Sequence, residues 1–87
     1  MEEFISFIAK HLVTDPDAVS VDKVEQDGRI IYRLHVGDGD LGQVIGKEGR
    51  TARSLRILVI AAAARAGERA GLEIVDPAKE GNAPFQP

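Results

Sequence analysis

The sequence predicts an α+β domain in the order α-β-β-α-α-β, with a three-stranded mixed sheet covered on one face by three helices. Three observations carry this. Residues 18–25 and 30–36 alternate apolar with polar side chains on either side of Asp27-Gly28, a dipeptide that favours a tight hairpin. Two helical stretches meet at Gly46-Lys47-Glu48-Gly49. An apolar run, Leu72-Glu73-Ile74-Val75, follows the longer of them, and a right-handed helical crossover lays it parallel to the second strand.

Residues 3–13 read as an amphipathic helix with Phe4, Ile5, Phe7, Ile8 and Leu12 on one stripe. Thr14-Asp15-Pro16-Asp17 ends it, because a proline disfavours helix in the residue before it. Val19 and Val21 lie in the first strand. In the second, Ile30, Tyr32, Leu34 and Val36 form the buried set, against Ile31, Arg33 and His35 on the wetter face. Gly37-Asp38-Gly39 turns the chain, and Asp40 with Gln43 fits a capping box for a short helix that stops at Gly46.

Arg50 to about Arg69 form the longest helix. Leu55, Leu58, Val59, Ala62 and Ala66 make the stripe expected against the sheet. Ile57, Ile60, Ala61 and Ala64 make a second stripe on the opposite side. An amphipathic helix on a monomer needs only one such stripe, so the second predicts a dimer interface. The domain spans 1–76. Residues 77–87 are rich in Pro, Gly, Asn, Lys and Glu and read as a disordered tail.

Composition narrows the function. With 87 residues there is one domain, and with no cysteine there are no disulfides, thiolate metal sites or cysteine catalysis. His11 and His35 lie on different elements and lack further ligands, so no metal and no cofactor is expected. The amino terminus is acidic, and the run Ile57 to Ala64 is too short to span a bilayer, which together predict a soluble, cytoplasmic protein without a membrane partner. Net charge is −3, yet residues 47–56 hold Lys47, Arg50, Arg53 and Arg56 against Glu48 alone. That window is +3, which leaves −6 for the rest, so a local cationic site sits in an acidic chain.

Two nucleotide motifs are near misses. Gly37-Asp38-Gly39-Asp40-Leu41-Gly42 matches a dinucleotide fingerprint, but its two aspartates would face a pyrophosphate and its helix is too short. Gly42 to Glu48 lacks one residue of a P-loop and carries Glu48 where the magnesium-binding hydroxyl belongs. The chain shows no activated nucleophile and no acid–base pair, so no enzyme is expected.

The elbow itself fits a phosphate clamp. Glycine lets backbone approach a ligand closely, and a helix N-terminus attracts anions. Lys47 adds a mobile charge, and Arg50 and Arg53 can fork onto phosphate oxygens or stack on bases. Gly42 and Ile45 are placed to floor a narrow groove beside it. The run from Asp40 to Arg56 resembles the signature of the small single-KH RNA-binding proteins of bacteria, the KhpA type, and the resemblance extends from the first helix through Val75. It implies the type II KH fold and a GxxG loop, Gly46-Lys47-Glu48-Gly49, that clamps single-stranded RNA with little sequence selectivity. Contacts to the RNA are expected from Gly42, Ile45, Arg50 and Arg53, on the chemistry of those residues given above. The resemblance further implies self-association, pairing with a larger KH-containing protein, and a role in post-transcriptional regulation as an RNA chaperone. An alternative is a protein-interaction module in which RNA binding is minor or belongs to the partner; the acidic total and Glu48 favour it.

Overall fold

The computed structural model describes residues 1–76, so the expected tail lies outside the described residues. Helix α1 (Glu2–Lys10) leads through a 3₁₀ turn at Pro16–Ala18 to β1 (Ser20–Gln26) and β2 (Arg29–His35). A second 3₁₀ turn at Asp38–Asp40 opens α2 (Leu41–Ile45), a third occupies Lys47–Gly49, and then come α3 (Arg50–Arg65) and β3 (Ala70–Ile74).

The sheet order is β1-β2-β3, with β1 antiparallel and β3 parallel to the central strand. Asp27 (φ 54°) and Gly28 (φ 78°) are both left-handed, which is the two-residue turn whose twist matches its strands, and they set the register Val21↔Leu34. The parallel register then places Leu34 against Ile74. Tyr32 and Leu34 of β2, and Val36 just past its end, lie in the core, where they join Ile5 and Ala9 of α1, Val44 of α2, and Leu55, Val59 and Ala63 of α3. All three helices therefore cover one face. The other face carries polar rows: Arg33 Nε donates to Glu73 Oε1 at 3.2 Å, and His35 Nε2 lies 2.8 Å from Asp22 Oδ2. Leu34, Val44 and Val59 are fully enclosed, and burying each such side chain contributes about 1.5–3 kcal/mol.

Four details depart from the expectations. Helix α1 stops at Lys10, and its buried residues are Ile5 and Ala9, while Phe7 is 64% exposed. Nine residues make two and a half turns, so only a narrow stripe reaches the sheet. Helix α3 is shorter than predicted and buries Ala52, Leu55, Val59 and Ala63. Leu58 is 47% exposed and Ala66 lies beyond the helix, because the buried arc centres on Val59 and Leu58 is turned about 100° from it. Strand β3 begins two residues early, at Ala70-Gly71; a Cβ on Gly71 would stand 3.6 Å from Ile31 Cδ1, so the neighbouring strand covers the missing side chain.

Asp40 is the fourth departure. It makes no side-chain cap bond to α2. Its carboxylate is 2% exposed and reaches back to the loop after α1, accepting from Thr14 N (2.9 Å), Thr14 Oγ1 (2.8 Å) and Asp15 N (3.0 Å). A buried carboxylate with three donors is satisfied, and this one fixes where the chain leaves the sheet and enters α2.

Candidate nucleic-acid interface

The turn between α2 and α3 is built from three unusual conformations within four residues. Gly46 has φ 77° and ψ 174°, a region open essentially to glycine alone. Glu48 (φ 57°) and Gly49 (φ 74°) are both left-handed. Gly46 N donates to Gly42 O at 2.9 Å, which closes α2. Gly49 N donates to Gly46 O at 3.1 Å, and Arg50 N donates to Lys47 O, so the turn is tied internally. The first turn of a helix still carries N–H groups with no carbonyl one turn back.

The two loop glycines have different reasons. A Cβ on Gly46 would collide with Thr51 Oγ1, stand 2.7 Å from Thr51 Cβ and touch the Thr51 backbone nitrogen at 3.0 Å. Around Gly49 nothing lies within 4 Å, so only its backbone angle favours glycine. Gly42 is also open on its outer side, which leaves the first turn of α2 bare. Ile45 is half-buried next to it. Val44, by contrast, is the α2 residue locked in the core and anchors the short helix.

Lys47, Arg50 and Arg53 are all exposed around this turn. Glu48 answers part of that charge, with Arg50 Nη2 at 3.4 Å from Glu48 Oε1 in a solvent-exposed pair, and such pairs are weak enough to open for a stronger anion. Arg56 turns elsewhere: its Nε donates to Leu72 O at 3.4 Å, joining α3 to β3. The structure thus brings Gly42, Ile45, Gly46, Lys47, Glu48, Gly49, Arg50 and Arg53 to one end of the molecule, at the α2–α3 junction. Ile57, Ile60, Ala61 and Ala64 lie exposed further along α3, with Ile57 59% and Ile60 51% accessible.

Sequence reasoning missed the Asp40 tether. The one signal was a lone threonine in a turn 26 residues before the carboxylate, which spacing rules do not see. The Thr14 backbone N–H, helped by the Thr14 hydroxyl and the Asp15 N–H, holds the Asp40 carboxyl below its ordinary value of 3.8 despite burial. Among the described residues no group of three potential ligands is placed to hold a metal ion, and no helix is long and apolar enough to cross a membrane.

Residues 2–74 match the family described as KhpA/KhpB, KH domain. Curated relatives extend across nearly their full length. The chain is 42% identical to RNA-binding protein KhpA of Chlamydia trachomatis over 76 residues, 87% of this chain and 97% of that one. It is 47% identical to RNA-binding protein KhpA of Treponema pallidum over 75 residues, 86% and 94% of the two chains. It is 45% identical to RNA-binding protein KhpA of Caldanaerobacter subterraneus over 75 residues, 86% of this chain and all of that one. No solved structure gives a significant match.

Proposed function

We propose, for a chain that belongs to the KhpA/KhpB KH-domain family, that it binds single-stranded RNA by gripping the sugar–phosphate backbone at Gly46-Lys47-Glu48-Gly49. The observation that carries this is the elbow itself: two left-handed residues in a row at the mouth of α3, with Lys47, Arg50 and Arg53 exposed around them. The relatives are named for RNA binding, and KH modules clamp about four nucleotides at such a loop. Gly42 and Ile45 provide an open, apolar floor for bases. No chemistry on the RNA is part of this reading. The exposed stripe Ile57, Ile60, Ala61 and Ala64 supports self-association, or pairing with a larger KH-containing protein on the same face, in a cytoplasmic role as an RNA chaperone in post-transcriptional regulation.

Replacing Lys47 and Glu48 together by aspartate tests the clamp. Asp accepts the left-handed conformation at position 48, so the fold survives while the loop charge turns strongly negative. Fluorescence anisotropy with a labelled oligoribonucleotide is expected to lose binding while circular dichroism stays native. Unchanged affinity would place the RNA elsewhere, and absence of binding in the parent chain would favour the protein-interaction reading.

A further inference from the structure

The open face of the sheet, away from the helices, sorts its side chains into rows across the strands. The registers Val24↔Ile31 and Ile31↔Gly71 set an apolar row, in which Val24 is 42% exposed and Ile31 half-buried. On one side of it stand Asp22, Arg33 and Glu73, whose charges are matched, with Glu73 on Arg33 and Asp22 on His35. On its other side stand Gln26, Arg29 and Arg69. Gln26 is in register with Arg29, and Ile30 N donates to Arg69 O, which carries the parallel ladder one residue further. Ile30 and Ala70 pack on the core, so by alternation Arg29 and Arg69 face outward, side by side. Both are exposed, and among the described residues neither has an acidic partner. Asp27, in the hairpin turn, pairs with neither.

Like charges on neighbouring strands repel and weaken a sheet. Glu25 and Glu68 line the cleft of about 340 Å³ at this end of the molecule, but from the helix-covered side. Glu25 is in register with Ile30, and Glu68 accepts from the Tyr32 hydroxyl at 3.4 Å. On the open side Gly71 leaves a shallow seat. The point its Cβ would occupy is 3.4 Å from Arg29 Nη2 and 3.6 Å from Ile31 Cδ1, so a guanidinium and an aliphatic chain border it. We propose that this patch is a second contact for single-stranded RNA, with Arg29 and Arg69 sharing one backbone phosphate and the adjoining base lying on Ile31 and Val24. It rests on the RNA reading above and extends the footprint from the elbow to the back of the sheet. A shared phosphate relieves the repulsion between the two guanidiniums and suits their forked donors. The apolar row beside the charges favours RNA over an acidic peptide, because every nucleotide carries a flat base next to its phosphate. One strand reaches both places. Strand β3 is an edge strand, and Arg56 Nε meets it at Leu72 O, next to Gly71. Arg56 is seven residues from Gly49, about 10 Å along α3. Twelve nucleotides cover about 40 Å even at the stacked spacing of about 3.4 Å, enough to pass from the elbow round β3 to its outer face.

The probes are oligouridines of four and of twelve nucleotides, read by fluorescence anisotropy. The variant carries Arg29→Gln and Arg69→Gln together. It is expected to bind four-uridine as the parent does and twelve-uridine about tenfold more weakly, since the second contact of one strand is lost. Its log–log salt slope with twelve-uridine is expected to be shallower by about 0.7, for one phosphate released. Comparing the two proteins on one oligonucleotide cancels the extra binding registers that a longer strand offers. In the parent, the Ile31 and Gly71 amide signals are expected to shift in NMR spectra with twelve-uridine; unmoved signals there would overturn the proposal. Because the two arginines repel, the variant without RNA is expected to melt no lower than the parent. A lower melting temperature would assign the pair to the fold and overturn the proposal. Equal affinity of parent and variant for twelve-uridine, with four-uridine still bound, would overturn this contact alone and leave the elbow in place. A twelve-residue polyglutamate that binds the patch as tightly as twelve-uridine would make it a site for acidic protein segments instead. Failure of both oligouridines to bind the parent would overturn the clamp reading and this inference with it.

Discussion

Single residues in this protein earn their identity from geometry that can be checked one at a time. Gly46 and Gly49 bracket the same loop but sit in different surroundings. Gly46→Ala is expected to cost about 2–4 kcal/mol, from a backbone region closed to alanine and from the collision with Thr51. Gly49→Ala is expected to cost about 1–2 kcal/mol, the left-handed penalty alone, since the space around it is open. Urea denaturation of the two variants reads the difference, and equal losses would contradict the contact geometry. Asp40 is the other informative residue. Its folded carboxyl is held below 3.8, first by the Thr14 backbone N–H, so the folded state binds its proton less readily than the unfolded chain does. The stabilisation is therefore fully present above the unfolded value and fades as pH falls through the lower, folded value. Asp40→Asn is expected to melt lower than the parent at pH 7, with the gap closing as the pH is taken below 4 in a series of thermal melts. Neither property was legible in the sequence beyond the glycines themselves. A motif marks Gly46 and Gly49 alike, and only the neighbouring Thr51 separates them.

Among elements, α3 divides its apolar residues between two tasks. Leu55 is buried against the sheet and Leu58, three positions on, is half-exposed. Leu55→Ala is expected to cost about 2–5 kcal/mol and Leu58→Ala about 0.5 kcal/mol or less. Chemical denaturation separates the two assignments directly, and a large loss at Leu58 would place it back in the core. The sequence showed that this helix has two apolar stripes because 3.6-residue winding demands it. It misplaced Leu58 because a helix apolar on opposite sides offers no polar edge from which to fix the rotation. The hairpin was more legible. Asp27-Gly28 occupies two left-handed positions, a conformation few other dipeptides accept, and the alternation of Ile30, Tyr32, Leu34 and Val36 then fixes which face is buried. The start of β3 was hidden because Gly71 has no side chain to register in an apolar pattern. Short α1 likewise carries more apolar residues than its two and a half turns can bury, so Phe7 was placed inside by period and stands outside in the fold.

Across the whole molecule, charge is distributed against the total. A chain of net charge −3 presents Lys47, Arg50 and Arg53 around one turn, with Glu48 alone of the acids in the window 47–56. Binding through about three phosphate contacts to a single strand is expected to weaken with salt at a log–log slope of about −2. Anisotropy titrations at several salt concentrations measure it, and a slope near zero would remove backbone contacts from the mechanism. The fold order and the location of the cationic loop were readable from the chain, because local period and glycine placement encode them. The long-range carboxylate tether was not, since nothing in a local pattern points across 26 residues. That tether has a consequence for biosynthesis. The amino-terminal segment leaves the ribosome first, yet the acceptor for Thr14 and Asp15 is translated only at position 40. Nascent chains stalled before that codon should leave their first helix open to protease, and chains stalled well past β3 should protect it.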